Sequence, residues 1–399
     1  MPCQNAAAAK DRAEFIKNNC KDVNAFAGLT DPVEMIKIIH KPRRHDPLVN
    51  WIPCAIPTEV LYSQLLPADV ERLIDGIVSL VGSNQNDMAM DIASCLAAFT
   101  DSNLERVLDS MIDQNSFYPA LVFRNASEKI RNRLVEKGRG FSTDNAKTLG
   151  LNHYLLALAW AGGDQAVQLF QEWRKNPPIW RGLLHVPPEA YAKSAGWELA
   201  ENGQRRDLIF HECWKLERGE SGSNDGFVVI SPREDSCPWC HATLTNLITF
   251  NPRAWKLEGL EAASDRIQVP TCEICTAFGT IFGRFGESGS GWSGHNRKPN
   301  YLPPDPSAFD RLPENRLHPT QPRGYLHAAE WTLPTTYSQL GGHPSWVQDA
   351  EYPPCPECAK SMKFIAQISH DEIVERTEGL YYAFVCPDCR TTATSYQQT

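Results

Sequence analysis

The 399 residues carry 39 Lys+Arg against 48 Asp+Glu, a formal net charge of −9, and are 42% hydrophobic and 10% aromatic. Such a composition belongs to a folded chain of two or three domains and excludes a disordered one. The longest apolar runs, 92–99 and 155–161, fall short of the roughly 18 residues that a membrane-spanning helix needs, so no membrane partner is expected.

The alanines at 6–9 are followed at once by Lys10, Asp11, Arg12 and Glu14, where a secretory signal would need an apolar core. The expectation is a cytoplasmic protein whose 13 cysteines stay reduced. Residues 1–219 hold 25 Lys+Arg against 27 Asp+Glu, a net of −2, whereas 220–399 hold 14 against 21, a net of −7. An acidic C-terminal half is a poor surface for phosphate backbones, which argues against nucleic acid, and suits a basic protein partner.

Residues 1–59 read as a helical leader and connector. Asp31-Pro32 followed by Val33, Met35, Ile36 and Ile39 predicts one helix, and Pro42, Pro47, Pro53 and Pro57 punctuate the connector after it. From 60 to 219 the pattern is helical throughout. Val70, Leu73, Ile74, Ile77, Val78 and Val81 have amphipathic spacing, opened by Pro67 and Asp69. Ser102-Asn103-Leu104-Glu105 reads as a capping box ahead of Val107, Leu108 and Met111. Further helices are predicted near 116–137, 149–161, 164–175, 188–202 and 204–217.

The segment around Gly163 aligns with that around Gly203 at an offset of 40 residues, with Phe170 over Phe210. A helix-pair repeat of that length resembles a HEAT-like solenoid; an irregular bundle is the other reading. Beyond a polar linker at 220–226 the character becomes β-rich, with apolar stretches at 227–230, 244–250, 279–285, 362–368 and 380–385. A Gly, Ser and Pro-rich segment at 286–325 reads as a long loop.

Four Cys-x-x-Cys pairs stand out: Cys237/Cys240, Cys272/Cys275, Cys355/Cys358 and Cys386/Cys389. Such a turn presents two sulfurs on one side of a tight loop, and two facing turns give the tetrahedral four-sulfur set that zinc prefers. The gap is 31 residues between Cys240 and Cys272, and 27 between Cys358 and Cys386. Sequential pairing is favoured because CPWCHATLTNLITF parallels CPECAKSMKFIAQI at an offset of 118 residues. The expected architecture is therefore α+β: a helical N-terminal region, then a duplicated β domain at 220–399 with two zinc ribbons and two structural Zn2+.

Competing readings are weaker. Disulfides do not suit the compartment, and a redox motif would open a helix, whereas these pairs precede strand-like sequence. Rubredoxin-type iron uses the same sulfur geometry. His241, directly after Cys240, is expected to be a neighbour of the site and not a ligand. Cys3, Cys20, Cys54, Cys95 and Cys213 show no paired spacing.

The stretch Ser338–Ile368 resembles the YwqG-like domain family, through Gly341-Gly342, Pro344, Trp346 and Ala366-Gln367-Ile368. The resemblance extends loosely over 227–399. It implies a two-part β layout and carries no established enzymatic activity; some members occur in bacterial toxin–immunity settings. On physical grounds the two glycines can take positive φ, Pro344 fixes the exit, and Trp346 can cover the corner.

No HExxH, phosphate-cradling Gly-Lys-Ser/Thr or Gly-x-Ser-x-Gly pattern is present. Trp292, His295, Tyr301, His343 and Trp346 are the candidates for a binding surface. The leading functional expectation is a non-catalytic interaction protein, such as an immunity protein against a toxin. The alternative is an enzyme with a pocket between the β repeats.

Overall fold

The computed structural model of the protein describes residues 12–142, 148–219, 226–260, 262–286, 289–302, 317–374 and 377–398. Most of the predicted linker at 220–226, and 287–288 and 303–316 of the predicted long loop, lie outside the described residues.

The first part of the chain is α-helical because its apolar residues recur at helical spacing. Helices span Pro32–His40, Thr58–Ser63, Pro67–Leu80, Asn86–Phe99, Glu105–Asp113, Glu128–Arg139, Thr148–Ala161 and Gly163–Lys175. The first starts as its sequence requires, with the Asp31 carboxylate accepting from the Val33 amide at 2.9 Å and Pro32 in the first turn. Asn86–Phe99 is buried nearly all round and forms the centre of the helical core. That core does not end with the helices: Leu326, Ala329 and Leu333 from the C-terminal half belong to it.

Short strands flank the helices. β1 (Lys21–Val23) pairs in parallel with β2 (Val49–Trp51), and β3 (Trp197–Leu199) pairs antiparallel with β4 (Arg205–Asp207). Then come β5 (Phe210–Arg218), β6 (Val228–Ser236), β7 (Thr243–Phe250), β8 (Ile267–Thr271), β9 (Ile281–Gly286) and β10 (Gly289–Trp292). The chain finishes with β11 (Leu317–Pro322), β12 (Gln339–Gly342), β13 (Lys363–Ser369), β14 (Leu380–Cys386) and β15 (Thr391–Gln397).

Eight of these form one sheet in the order β10-β9-β15-β14-β13-β12-β5-β11, and β6-β7-β8 form a separate three-stranded sheet. Alternation along β14 assigns its two faces. Tyr381, Ala383 and Val385 join the core shared with the three-stranded sheet, which includes Val229, Ile248 and Phe250. Tyr382 and Phe384 join a second cluster with Tyr352 and Phe364.

Several expectations are corrected. The helix predicted at 204–217 is β4 and β5, and 188–202 is a 3-10 segment, Pro188–Ala195, followed by β3. Gly203 therefore sits in a β-hairpin and Gly163 at the start of a helix, so the 40-residue match is not a helical repeat. The capping box at 102–105 is replaced by a simpler contact, in which Asn103 Oδ1 accepts from the Glu105 amide at 2.9 Å. Within 116–137, a 3-10 turn at Ala120–Phe123 precedes a helix that begins only at Glu128.

The Gly341-Gly342 pair does take positive φ, at 69° and 72°. A Cβ on Gly341 would lie 2.0 Å from the Glu212 carbonyl oxygen, and one on Gly342 would lie 2.6 Å from Cys213 Sγ. These glycines let β12 lie against β5 at a register shift.

Candidate metal centres

The first Cys-x-x-Cys pair occupies the β6–β7 turn, where Ser236 pairs with Thr243. The second follows β8, with Glu273–Thr276 forming one helical turn. In the other unit, Cys355 and Cys358 lie in a turn closed by the Pro354–Ser361 bridge, and Cys386 and Cys389 lie in the β14–β15 turn.

The first turns of the two units are built alike. The Cys237 amide donates to the Ala242 carbonyl at 2.8 Å, and the Cys355 amide donates to that of Lys360 at 2.8 Å. The amide following the second cysteine donates back to the first cysteine's carbonyl, His241 to Cys237 at 2.9 Å and Ala359 to Cys355 at 2.8 Å. To reach back, His241 and Ala359 adopt φ of 64° and 61°, and Arg390, after Cys389, adopts 51°. His241 is thus a backbone corner and is exposed. This bend is what turns both sulfurs of a pair to one side.

The sulfurs converge in two sets, Cys237/Cys240/Cys272/Cys275 and Cys355/Cys358/Cys386/Cys389, each with all Sγ atoms within 4.8 Å of one another. Sγ–Sγ distances are 3.8 Å for Cys237–Cys275, 3.5 Å for Cys240–Cys272 and 3.8 Å for Cys358–Cys386. A regular tetrahedron with metal–sulfur bonds of about 2.3 Å has edges of about 3.8 Å, so the spacing fits a bound ion. A disulfide would require about 2.05 Å, and every described cysteine is free.

Hydrogen bonds from Cys272 and Cys275 hold the Cys237 thiol far below its usual range, and the same contacts push Cys272 and Cys275 up. Without an ion this is one thiolate held by neighbouring thiols, and binding a cation would require those thiols to give up their protons. In the first set only Cys240 is less than fully buried, whereas Cys358 and Cys389 are both half-buried in the second.

The five surface candidates do not converge on one pocket. Trp292 crosses Trp239, inside the first knuckle, edge to face at 5.1 Å. Tyr301 donates to the Phe278 carbonyl at 2.7 Å and is 70% exposed. His295 Nε2 lies 3.0 Å from Glu357, inside the third knuckle, and Arg284 of β9 pairs with the same carboxylate. Since Lys298 donates to the Trp239 carbonyl at 3.2 Å, the segment from 292 to 301 touches both metal units.

His343 and Trp346 lie elsewhere. His343 is buried against Trp160 of the helical region at 4.8 Å, and burial lowers its pKa to about 4. Trp346 packs on Tyr382 at 4.9 Å and on Tyr352 at 5.2 Å.

One polar centre had no signal in the sequence. Glu59 is buried between the helical region and the sheet, 2.9 Å from Lys215 Nζ, 3.6 Å from His327 Nδ1 and 3.9 Å from Arg323. Burial alone would raise its pKa, but hydrogen bonds from His327 and Lys215 and the nearby Arg323 charge hold it down at about 2. Its partners are more than 150 residues away in sequence, so no spacing rule could assemble it.

Fold and site together define an α+β protein with two four-cysteine clusters, each able to hold a metal ion. The chain is 41% identical over 404 residues to the uncharacterized protein YpfL of Salmonella typhimurium (strain LT2), covering all of this chain and 93% of that protein. It belongs to the same family as YpfL. No family model and no solved structure matches it. Among the described residues, no helix is long and apolar enough to cross a membrane.

Proposed function

We propose that the chain is a cytoplasmic, non-catalytic protein-binding module whose C-terminal β region is shaped by two structural zinc ions. The observation that carries this reading is the pair of four-sulfur clusters at tetrahedral spacing. Four protein sulfurs fill a zinc coordination sphere and leave no position for a reacting water, which makes the ion a structural one. The ions would sit in the half of the chain with net charge −7, and each ZnS4 centre adds about −2. That field favours a basic protein, such as a toxin that this chain would neutralise. The resemblance of Ser338–Ile368 to YwqG-like domains, some of which occur in toxin–immunity settings, supports the same reading.

The test is affinity capture with the full-length, zinc-loaded chain from lysate of its source organism. The expected result is one stoichiometric basic protein, released by raising the salt. Recovery of no stoichiometric protein, or of an acidic one that ignores salt, overturns the proposal. Mass spectrometry of the same preparation reads the metal, with two zinc ions per chain expected and iron as the competing outcome.

A further inference from the structure

We propose that the seam between the N-terminal leader and the sheet binds a small phosphorylated ligand, its phosphate on Lys41 and Arg43 and its body in the adjoining groove. This reading is independent of the metal-centred one.

The charge pattern is the first observation. In a chain of net charge −9, the stretch from Lys41 to His45 contains Lys41, Arg43 and Arg44, with Asp46 following it in the wall of the smaller groove. The helix Pro32–His40 ends at Lys41, and Pro42 turns the chain so that this run folds back toward β2. There the Arg43 guanidinium lies 4.4 Å above the Trp51 ring and donates to the Ile38 carbonyl at 3.1 Å, which fixes its position. Among the described residues, neither Lys41 nor Arg43 forms an ion pair with a carboxylate.

The second observation is where these cations lie. Two open grooves of about 730 and 770 Å³ share Lys41 and Arg43 in their walls. The larger one has an apolar wall of Phe26, Ile39 and Ile56, with Thr58 and Thr336 as further donors. It also reaches Lys215 and Glu59. Glu59 does not make the groove acidic, because Lys215, Arg323 and His327 surround its carboxylate and Thr335 donates to it at 3.3 Å. An open groove of that size, with one apolar wall and several polar groups along it, offers the mixed lining of a small-molecule site. Two uncompensated cations at its rim select a dianion, and a phosphate monoester supplies one together with an organic body.

Calorimetric titration of the full-length, metal-loaded protein with phenyl phosphate, inorganic phosphate and phenol tests this. Phenyl phosphate should bind at least about tenfold more tightly than inorganic phosphate, and phenol should not bind measurably. Lys41→Ala with Arg43→Ala should weaken phenyl phosphate about tenfold or more. Lys41→Glu alone should do the same, which guards against a fold defect from the lost Arg43–Trp51 stack. No binding of phenyl phosphate at about 10 mM, or equal binding by the variants, overturns the proposal. So does binding of inorganic phosphate as tight as that of phenyl phosphate, or a strong preference for single-stranded oligonucleotides over both.

Discussion

The two metal units carry the same cysteine spacing within each pair, yet the sheets use them differently. In the second, β13, β14 and β15 are consecutive neighbours in the large sheet, so backbone ladders already hold the strands on which the sulfurs sit. In the first, β8 ends the three-stranded sheet and β9 enters the large one, pairing with β15. Cys237, Cys240 and Cys272 therefore belong to one sheet's turns and ends, while Cys275 leads into the other. The first unit's ion would be a tie between sheets, and the second unit's ion would clamp one sheet. Side chains supplement the first tie: the Thr271 hydroxyl lies 2.6 Å from those of Thr276 and Thr394, and β8 crosses β9 so closely that a Cβ on Gly283 would lie 2.4 Å from Pro270.

Removing metal from both units should have the largest effect. Structural four-ligand sites contribute on the order of 10 kcal/mol to folding, so a strong chelator should abolish the cooperative melt of the β region while helical circular dichroism persists. A metal-free chain with an unchanged melt would undo the comparison altogether.

Next, Cys240→Ser and Cys358→Ser, at equivalent half-buried positions, should each lose one ion per chain by mass spectrometry. Limited proteolysis should then cut within 228–271 in the first variant and leave that sheet protected in the second. Equal protection in both would mean that hydroxyls and packing, not the ion, join the sheets.

Acidification probes the junction with the helices. His343 is neutral in the fold, with a pKa lowered to about 4 by burial against an unfolded value of 6.5. The unfolded chain therefore binds the extra proton first, and stability falls as pH drops from about 6.5 to about 4, by about 3 kcal/mol from this group. His343→Gln should flatten that part of the pH–stability curve; an unchanged slope would remove His343 as its source.

The smallest effect is expected from Glu357→Gln. It weakens exposed contacts to Arg284 and His295, so stability should change by less than about 1 kcal/mol. Chelator kinetics should nonetheless separate into two more independent phases. Identical kinetics would show that the segment from 292 to 301 transmits nothing between the units.

What could be read in the sequence was local. The cysteine pairs and the strands beside them carry their signal within a few residues, and β7, β9, β13 and β14 fall where alternation and β-branched residues put them. The error at β5 has a physical cause. Its partner β12 shifts register between Gly341 and Gly342, so Phe210 and Cys213, both buried, stand three residues apart and imitate helical spacing. The Glu59 centre was invisible for the opposite reason, since it exists only once β5 and the segment holding Arg323 and His327 lie beside the helix Thr58–Ser63.

The position of β5 also bears on how the chain is made. Its neighbours in the sheet, β11 and β12, begin about 100 residues further along, and at roughly 5–20 residues per second the ribosome delivers them some 5–20 s later. Through that interval a finished strand waits with both edges bare, even once β6, β7 and β8 can cover its apolar face. A nascent chain arrested once Arg218 has cleared the ribosomal exit tunnel should therefore capture chaperones at this strand, and one arrested once Gly342 has cleared it should not.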